Sequence, residues 1–142
     1  MPDERLPSEL RLGLRAGSVF YFQSRELTSE KPHFFVVVNR EPLRSQLLLL
    51  TIVTSNIADV RTRNRNRMET IVEITPSEYS EFKLHSAIDC NVLIEKPLSE
   101  LGGMVKRKEV RYHRDLSAEI FTKIRSAILA SPLVPDELKE ML

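Results

Sequence analysis

Arg61, Arg63, Arg65 and Arg67 stand within seven residues, in the run RTRNRNR, with no acidic group between them. Four like charges this close repel one another unless an anion is expected, so the run reads as an anion-attracting segment. In an extended chain the alternation with Thr62, Asn64 and Asn66 places the arginines on one side, facing a polyanionic backbone. Each phosphate contact there would make binding salt-sensitive. A solvated loop is the other reading of the same run. Lys106, Arg107, Lys108, Arg111, His113 and Arg114 form a second basic stretch that either lines the same groove or faces water. Tyr112, among them, could stack on a base.

Other chemistries are less well supplied. Cys90 is the sole cysteine, so no internal disulfide forms and a reducing, cytoplasmic compartment is the natural reading. It packs as a small hydrophobe, since no partner base is evident. Three scattered histidines without paired cysteines argue against a metal site, and no cofactor motif is present. The net charge of +1 predicts no partner by itself. No apolar run approaches the roughly 20 residues of a membrane-spanning helix. The opening MPDERLPSELRLG mixes charges and lacks an apolar core, so a secretory signal is not expected.

The 142 residues suit one domain. Residues 1–16 read as an arm, with Ser8 as a cap for a helical turn. Strands are expected over 18–23 (SVFYFQ), 33–39 (HFFVVVN) and 46–53 (QLLLLTIV), the last two buried on both faces. Residues 54–67 read as a loop and TIVEI at 70–74 as a strand. Thr75-Pro76-Ser77-Glu78 has the signature of a short helix that folds Tyr79 and Phe82 inward. SAIDCNVLI at 86–94 reads as one more strand, and residues 104–106 as a short one after the Gly102-Gly103 pair. The clearest helix is capped by Ser117 and carries an apolar stripe of Ile120, Phe121, Ile124, Ala127 and Ile128. Pro132 stops it, and residues 132–142 form a short final helix. The expected architecture is α+β: a strongly twisted antiparallel sheet in an open barrel over 17–131, with a C-terminal helix packed on it.

The order GSVFYF, KPHFFVVVN, LLLLTIVTS, TIVEI, SAIDCNVLI and DLSAEIFTKIRSAIL resembles the MazF/PemK-like toxins of bacterial toxin–antitoxin pairs, from about Gly17 to Leu129. The resemblance implies an SH3-like barrel, a homodimer, and an endoribonuclease that cleaves single-stranded RNA without metal. It also implies a cognate antitoxin whose disordered tail blocks the RNA groove. In such chemistry the ribose 2′-hydroxyl attacks phosphorus, so the site must move protons and stabilise charge on the phosphate.

The resemblance also implies site residues. The family arginine at the start of the second strand is matched by His33 in strand register and by Lys31 in the Lys31-Pro32 dipeptide. Histidine suits general acid or base work, and Lys31 would stabilise phosphate charge. Thr54 and Ser55 match a hydroxyl at the end of the third strand. Asp89 and Asn91 match, with an offset of one, an acidic and an amide residue near the site. Arg61, Arg63, Arg65 and Arg67 fall in the loop that borders the RNA groove. The departure from the family arginine leaves open a non-catalytic module that binds RNA or an acidic peptide on the same fold.

Overall fold

Two apolar runs organise the chain. HFFVV and LLLLTIV have no polar face, so each must be covered on both sides. In the computed structural model, which describes residues 7–24 and 31–142, they form β2 (His33–Val37) and β3 (Leu47–Thr54). These lie at the centre of a seven-stranded antiparallel sheet. β1 (Val19–Phe22) and β7 (Val110–His113) extend it beyond β2. β5 (Ser86–Asp89) pairs with the end of β3, and β4 (Ile71–Ile74) pairs with β5. β6 (Ile94–Pro97) pairs with the opposite half of β3. The sheet does not close, which agrees with the expected α+β open architecture.

Strand alternation divides the interior into two cores. Val19, Val36, Leu49 and Val53 face one core, with Tyr79, Phe82 and Ile88. Phe20, Phe22, Phe35, Val37, Leu48 and Leu50 face the other. The first core is closed by α5 (Ala118–Ala130), whose buried side chains are Ile120, Ile124, Ala127 and Ile128. Ser117 caps α5, its Oγ accepting from the Ile120 N–H at 3.2 Å. Gly17 adopts φ 94°, a left-handed conformation that favours glycine, as it leads into β1.

Several elements depart from expectation for local reasons. The N-terminal arm carries α1 (Ser8–Gly13), with Pro7 rather than Ser8 in the capping position and Leu10 and Leu14 packed into the second core. A short α2 (Pro42–Ser45), not read from the sequence, joins β2 to β3. The expected loop at 54–67 contains α3 (Ile57–Arg63): Asn56 Oδ1 accepts from the Asp59 N–H, and Val60 is its buried anchor. Asp59 in the first turn and Arg61 and Arg63 in the last complement the helix dipole. Residues 75–82 form turns only, although the Glu78 carboxylate does accept from the Thr75 N–H at 2.9 Å and Tyr79 and Phe82 are buried. The strand expected over 86–94 breaks after Asp89, where Asp89 Oδ1 accepts from the Asn91 N–H. The glycine pair lies inside α4 (Leu98–Lys106), not before a strand. Leu98, Leu101 and Met104 recur at helical spacing and bury one face of it.

The last residues belong to the fold. α6 (Asp136–Lys139) brings Val134 and Leu142 into the first core, and Arg40 donates to the Leu142 carbonyl at 3.3 Å. Truncation after Ser131 is therefore expected to cost about 3 kcal/mol or more of stability. A thermal melt unchanged from the full chain would contradict that packing. Among the described residues no helix is long and apolar enough to cross a membrane.

Candidate functional site

β1, β2, β3 and β7 present one row of side chains on the first-core face. Tyr21 pairs with Arg111 on one side and Phe34 on the other, and Phe34 pairs with Val53. Beyond the packed core this row floors an open pocket of about 510 Å³. Lys31, Pro32 and His33 form its rim where β2 begins, and Thr54 and Ser55 where β3 ends. Phe34 pairs with Val53 in the antiparallel ladder, so His33 stands opposite Thr54. Phe82, Lys83, Leu84 and Ser86 wall the far side.

Two histidines line this pocket, each with Nδ1 in contact with an oxygen atom. His33 Nδ1 lies 3.0 Å from the Lys31 carbonyl, which can only accept. Nδ1 therefore carries the proton, and in the neutral ring Nε2 holds the free lone pair. His113 Nδ1 lies 2.7 Å from Glu81 Oε1, and the His113 ring packs on Phe34 at 5.0 Å. His113 Nε2 is buried with no hydrogen-bond partner among the described residues. Burial pushes the Glu81 carboxyl upward, but hydrogen bonds from His113, Tyr79 and the Arg114 backbone outweigh it and hold the group below its ordinary range. Arg114 adds an ion pair to Glu81 at 3.4 Å and lies over the Tyr79 ring.

The pocket is electropositive. Lys31, Lys83 and Arg111 line it, and among the described residues its one lining carboxylate, Glu81, is committed to His113 and Arg114. The half-exposed Tyr21 and Phe34 rings, 4.7 Å apart, give it an aromatic floor. Among the described residues no cluster of His, Cys, Asp or Glu is placed to hold a metal ion.

The other residues singled out from the sequence lie elsewhere. None of Arg61, Arg63, Arg65 and Arg67 lines the pocket. Because α3 forms, they are not ranged along one side of an extended strand. Arg61 makes a two-pronged pair with Glu73 at 2.6 and 2.8 Å, which draws the Glu73 carboxyl downward. Arg63 pairs with Asp59 and with Asp89, and Arg67 donates to Asn64 Oδ1 at 2.9 Å. Asp89 and Asn91 are also outside the pocket, joined to each other, Asn64, Thr70 and Ser131 by hydrogen bonds. Cys90 is buried beside them, and burial together with the Asp89 carboxylate pushes its thiol pKa up.

Arg111 and His113, read from the sequence as part of a basic stretch that lines the same groove or faces water, do line the pocket, and so does Glu81, which the sequence did not single out. A signal existed for two of them: in VRYH, positions 111 and 113 share a strand face while Tyr112 takes the other. Glu81 carries no such signal, because irregular backbone brings it there.

No family model matches the sequence, and no curated protein matches it. Among solved structures, an endoribonuclease in complex with its cognate antitoxin from Mycobacterial species is similar in fold. Its TM-score is 0.54 at 13% identity, over 87% of this chain and 98% of that one.

Proposed function

We propose that this chain is a toxin-like endoribonuclease that cleaves single-stranded RNA in the pocket between the start of β2 and the end of β3. The observation that carries the reading is the convergence of Lys31, His33, Thr54 and Ser55 on one electropositive, aromatic-floored cleft. The likeness in fold to an endoribonuclease bound to its antitoxin supports it. In this scheme His33 Nε2 takes the proton of the ribose 2′-hydroxyl. The 2′-oxygen attacks phosphorus, and the bond from phosphorus to the 5′-oxygen breaks. Lys31 protonates the departing oxygen, and Thr54 and Ser55 donate to the phosphate oxygens. The products are a 2′,3′-cyclic phosphate and a 5′-hydroxyl. No metal enters the scheme.

The cationic cleft also suits an acidic segment of a cognate antitoxin, which would silence the enzyme by occupying it. A homodimer in the cytoplasm is the setting this reading implies. The test is incubation of the purified chain with mixed-sequence RNA in excess EDTA. The expected result is cleavage with cyclic-phosphate ends, weakened as salt rises. Intact RNA at high protein concentration would defeat the proposal.

A further inference from the structure

The cleft is wider than one phosphate requires. Its floor runs from Arg111 on β7 across Tyr21 and Phe34 to Val53 on β3. Two strand spacings, roughly 10 Å between backbones, separate Arg111 on β7 from the start of β2, a gap that the long side chains of Arg111 and Lys31 narrow to the span of neighbouring phosphates. Lys31 and His33 stand at the start of β2, and Thr54 at the end of β3. At the other end Arg111 is exposed, and no described residue holds it in a hydrogen bond or ion pair. Its situation differs from that of Arg15, Arg61, Arg63, Arg107 and Arg114, each of which is bound to a carboxylate. Glu81 does not neutralise it, since that carboxylate is engaged by His113 and Arg114. Between the two ends lie the Tyr21 and Phe34 rings, a surface on which a base can stack.

We propose that Arg111 forms a second phosphate subsite, so that the cleft holds one nucleoside on Tyr21 and Phe34 with a phosphate at each end. This rests on the RNA reading of the cleft and adds its footprint: the ligand is a chain segment with two consecutive phosphates. A guanidinium grips phosphate through two parallel N–H donors, so Arg111 also sets which way the strand lies across the floor.

Thymidine 3′,5′-bisphosphate is the matching probe, because it has a phosphate on either side of one nucleoside and no 2′-hydroxyl to react. Calorimetric titration of the full chain is expected to show it binding about ten-fold or more tighter than thymidine 5′-monophosphate. In Arg111→Gln that preference falls to about two-fold, with an unchanged melting temperature because Arg111 is exposed. A bisphosphate no tighter than the monophosphate in the wild type, or a preference that survives in Arg111→Gln, would overturn the subsite. RNA cleavage measured on the same preparations separates the two ideas. Cleavage by the wild type with the preference intact in Arg111→Gln leaves the nuclease and removes the subsite. No cleavage, with the preference lost in Arg111→Gln, removes the nuclease and leaves the subsite.

Discussion

Replacing His33 with alanine is expected to lower the RNA cleavage rate about 10²- to 10⁴-fold while leaving RNA binding within a few-fold of wild type. The size follows from the role. A positioned base is lost, but the cationic rim and aromatic floor that bind the strand remain. The ring is oriented by its Nδ1 contact with the Lys31 carbonyl, which leaves Nε2 as the nitrogen able to take a proton. His33 is only partly buried at the start of β2, so the alanine variant folds. Single-turnover kinetics paired with binding to an all-deoxy oligonucleotide separates the two effects. A variant that cleaves at the wild-type rate would assign His33 a structural role at the strand opening.

Replacing Asp89 with alanine is expected to destabilise the fold by about 3 kcal/mol without a comparable loss of cleavage per folded molecule. The Asp89 side chain is only 11% exposed. It accepts from Asn64 Nδ2 at 3.0 Å, from Asn91 Nδ2 at 2.8 Å and from the Asn91 N–H at 3.1 Å. Asn91 in turn donates to Thr70 Oγ1 at 2.7 Å and accepts from Ser131 Oγ at 2.5 Å. Directly and through Asn91, the carboxylate thus joins Asn64 at the end of α3, Thr70 before β4 and Ser131 after α5, and its removal leaves amide donors short of an acceptor. Burial alone would push its pKa up, but the hydrogen bonds from Asn64 and Asn91, with Arg63, outweigh that and hold it below its ordinary value. A depressed folded pKa means the stabilisation is present above the unfolded value of about 3.9 and is lost as pH falls through the folded one. Denaturant melts should therefore show the wild type losing its advantage over Asp89→Ala below about pH 4. An equal gap at pH 3 and pH 7 would contradict this account of the network.

The central strands were legible because HFFVV and LLLLTIV leave no polar face, and α5 because Ser117 and a helical stripe mark it. α3 was not, since Val60 is its sole buried side chain and its cap, Asn56, also suits a loop. α4 was hidden by Gly102-Gly103, residues that disfavour a helix until Leu98, Leu101 and Met104 find a core to fill. The arginine run shows how far charge reads from a linear neighbourhood. It contains no acid, yet Glu73 lies 12 positions away and Asp89 lies 26 positions from Arg63, and the fold brings both to it. The strand ends that bear Lys31, His33, Thr54 and Ser55 were placed by pattern alone. Their meeting with Arg111, His113 and Glu81 depends on β7 pairing with β1 and on the turns after Tyr79, which no local period encodes.

The most direct measurement uses a DNA oligonucleotide series, each member carrying one ribonucleotide at a different position, incubated with the chain in excess EDTA. The account predicts that cleavage falls only at the ribonucleotide, leaves a 2′,3′-cyclic phosphate, and disappears when that residue is 2′-O-methylated. Cuts at deoxy positions, or an oligonucleotide series left whole at every ribonucleotide, would contradict it.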